Sequence, residues 1–205
     1  MNDKQNRKIM KITKEQMRKI KEFSIQQYKK NDLNHSVHHA ESTAKLARLL
    51  AKAEKADINV CEAAAWLHDI AHHIDKREHP HIGAKIARPF LIRIGVNAKT
   101  ADEICHAIIS HASRFWNDTN VKEAKIVFDA DHLLALGPVG FCRDFTFCLL
   151  YRKMKLIDAV KDTKSYVLSR YDKLKTKTAK KLGAKPQKLM KQFYKIFDEQ
   201  ESGNG

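Results

Sequence analysis

Helix breakers are scarce in this chain. Seven glycines and four prolines are spread over 205 residues, so helices have little to interrupt them, and no stretch shows the sustained apolar–polar alternation of strands. Cysteine is sparse as well. Cys61, Cys105, Cys142 and Cys148 lack C-x-x-C spacing and sit among apolar neighbours, which reads as reduced, buried thiols of a cytoplasmic protein. No apolar run approaches the roughly 18 residues that span a bilayer. The opening "MNDKQNRKIMKITKEQ" has no apolar core of a signal peptide, so neither a membrane nor export is expected.

What the chain does have is moderate apolar content, 43%, with 31% charged residues, the balance of one soluble globular domain. The net charge of +15 is uneven. Residues 31–150 carry fourteen Lys/Arg and fifteen Asp/Glu, whereas residues 1–30 carry ten basic and three acidic, and residues 151–195 fifteen and three. Three segments follow: a basic N-terminal helical extension (1–30), a near-neutral core (31–150) and C-terminal helices packing on it (151–201). Basic flanks either attract anionic substrates or nucleic acid, or simply form a solvated helix surface.

Helical period runs through nearly every segment. Thr43, Leu46 and Leu50 share a stripe, as do Ile104, Ala107 and Ile108, and Ala124, Val127, Phe128, Leu134 and Ala135. The expectation is all-α, with helices near 10–30, 35–55, 58–72, 80–94, 98–112, 121–135, 139–168, 170–183 and 186–200. "LGPVGF" marks a sharp break, and "KLKTKTAKKLGAKPQKLMKQFYKIF" reads as an amphipathic pair covering the core with Leu174, Leu182, Leu189, Met190, Phe193 and Ile196.

The stretch "AAAWLHDIAHHIDKREHPHIGAK", residues 63–85, sets five histidines beside an apolar run. A metal site, an acid–base site or a solvated histidine-rich loop would each account for it. Position relative to the apolar stripes separates the candidates. His68 shares a face with Cys61, Ala64 and Ala65, and Asp69 adjoins it. His39 leads Thr43, Leu46 and Leu50; His79 aligns with Ile82, Ile86 and Phe90; His111 closes the stripe of Ile104 and Ile108. His81 and His106 align with polar residues and read as solvated. Asp131 lies on the inward side of its helix, while Asp129, about 200° away, is either a supporting group or an exposed carboxylate. A single inward histidine is ordinarily a hydrogen-bonded core residue. Six inward polar groups, His39, His68, Asp69, His79, His111 and Asp131, have one economical common solution, one or two divalent cations of the Mn, Fe, Mg, Co, Ni or Zn kind.

These residues resemble a known family. H…HD…D, read as His39, His68–Asp69 and Asp131, is similar to the HD superfamily of metal-dependent phosphohydrolases. "AAAWLHDIAHH" resembles its "LLHDIG" segment, and "DADHLLALGPVGFCRDF" resembles the "DADRLDALGxxGxxRxF" of one branch. "NHSVHHAESTAKLA" is similar to that branch's "SHDxxHxxRVxxLA", with His35 one turn before His39. "HPHIGAKI" and "AIISHAS" resemble the dinuclear members' "HPEIGAxI" and "AIxxHH", which carries ligand roles to His79 and His111. Ala71 replaces a usual glycine, Ser36 and Leu134 replace aspartates, and His72 and His73 stand where one-metal members carry an acidic pair.

The resemblance implies an HD-type helical bundle with extra terminal helices that hydrolyses a phosphoester or phosphoanhydride, a nucleotide among the substrates in view. It implies that Asp69 bridges two ions when both bind. His72 would be either a general acid or a supporting hydrogen-bond group, and Lys76, Arg77 and Arg143 would hold phosphate, Arg143 by matching the branch's arginine. Some dinuclear members are iron oxygenases, and a basic nucleic-acid-binding protein with a structural metal is a further alternative. A homodimer through the terminal helices is also expected.

Overall fold

The computed structural model of the chain describes residues 12–203; residues 1–11 of the expected basic extension lie outside them. The described residues contain nine α-helices and no strand: α1 Lys14–Tyr28, α2 Val37–Glu54, α3 Ile58–Leu67, α4 His79–Arg93, α5 Ala98–Ser110, α6 Lys122–Leu134, α7 Gly137–Leu150, α8 Leu156–Lys173 and α9 Lys177–Glu201. The all-α reading therefore holds.

Local chemistry sets most starts. Thr13 and Gln16 form a reciprocal capping box on α1. Asp57 accepts from Asn59 N and Val60 N to open α3, Asn97 from Thr100 N to open α5, and Thr176 from Ala179 N to open α9. The short α3 is the axis of the fold. From Val60 to Leu67 every residue is buried, its alanines letting α1, α2, α5 and α6 approach closely. Glu62, buried among them, is paired with Lys21 of α1, at 2.7 Å, and with Arg48 of α2.

Several expected boundaries are corrected. α3 stops at Leu67, not near 72; residues 68–78 are turns that lead into α4. The helix expected over 139–168 is two, broken at Tyr151–Lys155, where Lys153 takes a left-handed φ of 54°. Conversely, Gly183 and Pro186 do not divide the last helix, which runs unbroken for 25 residues. Pro186 is held by packing: a Cβ on Gly137 would lie 2.8 Å from its Cβ. Cys142 is exposed rather than buried. In the basic C-terminal pair Leu174 and Met190 are buried, but Leu182, Leu189, Phe193 and Ile196 remain at the surface.

Helices α6 and α7 meet at a 75° bend. Gly137 there has φ +71°, and a Cβ on Gly140 would sit 2.0 Å from the Ala135 carbonyl oxygen, so only glycine lets α7 start this close to α6. Past the bend, α7, α8 and α9 enclose a small second core of Val160, Val167, Met190 and Tyr194 with Phe141 and Phe145 packed on it. Among the described residues no single helix is long and apolar enough to cross a membrane.

Candidate metal centre

Four of the six inward polar residues stand at helix ends. His39 is in the first turn of α2, His68 caps the C-terminus of α3, His79 opens α4 and His111 caps α5; Asp69 follows α3 directly, and Asp131 projects from α6. All but Asp131 are buried; its side chain is 24% exposed.

Carbonyl groups orient three of the histidines. Nδ1 of His68 lies 2.7 Å from the Ala65 oxygen, that of His79 3.0 Å from Lys76, and that of His111 2.6 Å from Ile108. A carbonyl only accepts, so each Nδ1 carries a proton, and when these rings are neutral each Nε2 offers a lone pair. The Nε2 atoms converge on Asp69. Its Oδ2 is 3.0 Å from His68 Nε2 and 3.6 Å from His39 Nε2, which is in turn 3.2 Å from Asp131 Oδ1. Its Oδ1 is 3.0 Å from His79 Nε2 and 3.3 Å from His111 Nε2. One carboxylate thus presents an oxygen to each of two ligand sets.

Within each set imidazole nitrogens face one another, His39 to His68 at 3.1 Å and His79 to His111 at 3.3 Å. Two lone pairs so placed repel unless a proton or cation lies between. Ligands about 2.0–2.1 Å from an ion stand about 3 Å apart, so the donor set fits a divalent cation on either side of Asp69.

Electrostatics follow the same plan. Burial opposes ionisation of Asp69 and Asp131, yet the facing histidines, His68 and His111 on Asp69 and His39 on Asp131, hold both well below the usual carboxylate range. Burial lowers His39 and His111. His68 goes the other way: against burial, the Asp69 carboxylate pushes it up to about 9.

The turn carrying His68 and Asp69 is pinned by the end of α1. Tyr28 OH accepts from Asp69 N at 3.1 Å and lies 3.3 Å from His68 Nδ1, while Asn31 Nδ2 donates to the Asp69 carbonyl and Asn31 Oδ1 accepts from His73 N. Neither Tyr28 nor Asn31 is singled out by sequence pattern, because both sit at the end of a helix whose periodicity reads only as amphipathic.

Above the six groups opens a chamber of about 450 Å³. Lys76 and Arg143, expected to hold phosphate, line it; Arg77 is exposed and does not, its carbonyl accepting from Arg114 Nη1 instead. Arg143 makes no ion pair with Asp144; its Nε and Nη2 donate to the Asn34 carbonyl at 3.2 and 2.8 Å. The wall also contains Arg114, Tyr166, His132, Arg170 and Lys173, which sequence reasoning passed over. The signal was present: Tyr166, Arg170 and Lys173 recur at helical spacing along one face of α8, within the basic flank. None of Lys76, Arg114, Arg143, Arg170 and Lys173 has a carboxylate partner within 4.0 Å among the described residues, whereas Arg18, Arg48, Arg88 and Arg152 all do.

His72 is buried at the rim, its ring stacked on His35 with centroids 3.5 Å apart. Burial, then the neighbouring His35, pushes it down to about 3. A pKa that low leaves the ring neutral near pH 7, which suits the supporting hydrogen-bond role better than the proton donor, the two roles expected of it. His35 also lines the chamber, its Nδ1 2.7 Å from Asp32 Oδ1. His132 is pushed down to about 3 by burial, with Arg170 adding to it; its Nε2 meets Ser113 Oγ and Arg170 Nη1, each at 3.0 Å. Asp129, far from being exposed, is fully buried and accepts from Lys175 N and Thr176 N, both at 2.7 Å.

Known proteins share this architecture. The sequence model of the HD domain family matches residues 36–136. The uncharacterized protein YpgQ of Bacillus subtilis (strain 168) is 33% identical over 119 residues, which cover 55% of this chain and 57% of that protein's length. The crystal structure of YpgQ in complex with ADP superposes with a TM-score of 0.75 at 24% identity, covering 91% of this chain and 95% of that one. An HD-superfamily hydrolase from Bacillus thuringiensis superposes with a TM-score of 0.71 at 25% identity, covering 92% and 97%.

Proposed function

Through residues 36–136 this chain belongs to the HD domain family, a family of metal-dependent phosphohydrolases, and from that membership we propose that it hydrolyses a phosphoester or phosphoanhydride of a nucleotide. The observation that carries the reading is the Asp69 carboxylate, with Oδ2 toward His39, His68 and Asp131 and Oδ1 toward His79 and His111. Divalent cations bound by these groups would supply Lewis acidity and a water of lowered pKa.

The protein's own groups do the rest. Lys76, Arg114, Arg143, Arg170 and Lys173 face the chamber without internal counterions and would draw in and orient phosphate oxygens, the arginines by paired hydrogen bonds. This wall favours an oxyanion such as a phosphate over an uncharged substrate. The ADP bound by YpgQ, a protein of the same fold, supports a nucleotide. Of the two rim imidazoles, His35, tied to Asp32, is assigned as donor of the proton to the departing oxygen, and His72 as the neutral ring that holds it in place.

Phosphate release from a panel of nucleotides with added Mn²⁺, Mg²⁺, Co²⁺ and Ni²⁺ tests the reading. Asp69→Ala and His68→Ala are expected to keep helical circular dichroism while losing bound metal and at least 1,000-fold in turnover, on the order of 4 kcal/mol. His35→Ala should lower kcat more than His72→Phe does. Undiminished turnover in Asp69→Ala would overturn the proposal.

A further inference from the structure

A second cavity of about 200 Å³ adjoins the chamber. The two share His35, Ala135, Arg143 and Tyr166, so a ligand can extend from one into the other across Arg143. Its remaining wall includes Asn34, Gly140, Asp144 and Phe147.

The wall has two characters. Ala135 and Gly140 contribute nothing larger than a methyl group, and Gly140 cannot carry even that, while Phe147 and Tyr166 supply aromatic surface. Against this apolar lining stands Asp144, which makes no hydrogen bond or ion pair among the described residues; its Oδ2 is shut off from solvent and without a donor. Of the arginines whose charge reaches it, Arg143 donates to the Asn34 carbonyl, Arg152 pairs with Asp162 and Arg170 Nη1 meets His132, while Arg170 Nε has no partner of its own. Burial, then the charge of Asp162, raises the pKa of Asp144. The residue is half-buried and lines the cavity, so its other oxygen, Oδ1, is the one a ligand can reach, and a carboxylate in want of a donor points to one that arrives with a ligand.

The missing component must be flat and largely apolar, must carry an N–H, and must be joined to phosphate lying in the next chamber. We infer that the second cavity receives the nucleobase of the substrate, with Asp144 accepting a hydrogen bond from the exocyclic amine of an amine-bearing base. The inference rests on the phosphohydrolase reading only for where the phosphates lie. Asp144 is then a specificity residue, and the base is read by α7 while the phosphates are held across the chamber.

Phosphate-free nucleosides separate the two readings, because they bind without turnover. By titration calorimetry the wild-type protein is expected to bind adenosine at least tenfold more tightly than purine riboside, which lacks only the amino group, and Asp144→Ala and the near-isosteric Asp144→Leu, neither of which keeps an acceptor, are expected to abolish that difference. In turnover assays, the ratio of kcat/KM for ADP to kcat/KM for inorganic pyrophosphate should fall at least tenfold in both variants. If the wild-type protein releases no phosphate yet prefers adenosine over purine riboside, the hydrolase reading fails and the base cavity stands. If it hydrolyses ADP but binds the two nucleosides equally, the base cavity is overturned and the hydrolase reading stands. That comparison needs no variant to fold.

Discussion

The titrating groups of the centre pull stability in opposite directions, and the balance is readable in the metal-free protein. His72 and His132 are held down at about 3 against an ordinary value near 6.5. Between these pH values the unfolded chain takes up protons that the folded chain refuses, so stability falls as pH drops, by up to about 1.4 kcal/mol per pH unit per group. His68, raised to about 9, acts in the opposite sense: its stabilisation is complete below about 6.5 and is lost as pH rises toward 9. Thermal melts in chelator from pH 5 to 9 are expected to peak near pH 6.5. A melting temperature still climbing at pH 8 would contradict the protonation assigned to His68. The inward placement of His39, His68, Asp69, His79, His111 and Asp131 was legible in the sequence because each lies on or beside an apolar stripe, and a stripe has a direction. The sequence left Asp129 and His72 each between two roles, because those roles depend on what crosses from elsewhere in the chain: the amides of Lys175 and Thr176 in one case, the His35 ring in the other.

Among elements, the joint between α8 and α9 depends on α6. The carboxylate of Asp129 accepts two backbone N–H groups within that connection, serving a turn that Thr176 then continues into the cap of α9. Asp129→Ala leaves both amides without an acceptor, at a cost of about 3 kcal/mol. Urea unfolding should register that loss, and hydrogen exchange should accelerate at Lys175 and Thr176 before it does in α3. A loss below about 0.5 kcal/mol would mean that water replaces the carboxylate freely. Element boundaries were least legible where tertiary contacts overrode local signals. "YRKMK" contains neither glycine nor proline, yet Lys153 turns left-handed there. Pro186 looks like a stop, yet packing against Gly137 carries α9 past it. Helices α2, α5 and α6 were legible because one uninterrupted face of each is buried.

At the scale of the whole molecule, the basic flanks are not an independent layer. The N-terminal one supplies Tyr28, with Asn31 just beyond it, to the turn that presents His68 and Asp69, and the C-terminal one supplies Tyr166, Arg170 and Lys173 to the chamber. Composition revealed the charge but not its destination, since only the packing of α8 against α6 and α7 brings those cations over the histidine–aspartate cluster. The six groups come from α2, the end of α3, α4, α5 and α6, so an ion held by them would join most of the bundle and its binding should stabilise the fold globally. Metal at 100 times its Kd adds about 2.7 kcal/mol to a state that alone binds it. For a chain of this length, that corresponds to a rise of roughly 5–10 °C in melting temperature. Differential scanning calorimetry with and without Mn²⁺ should show that rise as the displacement of one cooperative transition, and Asp69→Ala should abolish it. A rise that survives Asp69→Ala would locate the stabilising ion elsewhere, and two separate transitions would show that α7–α9 unfold apart from the bundle that holds the ligands.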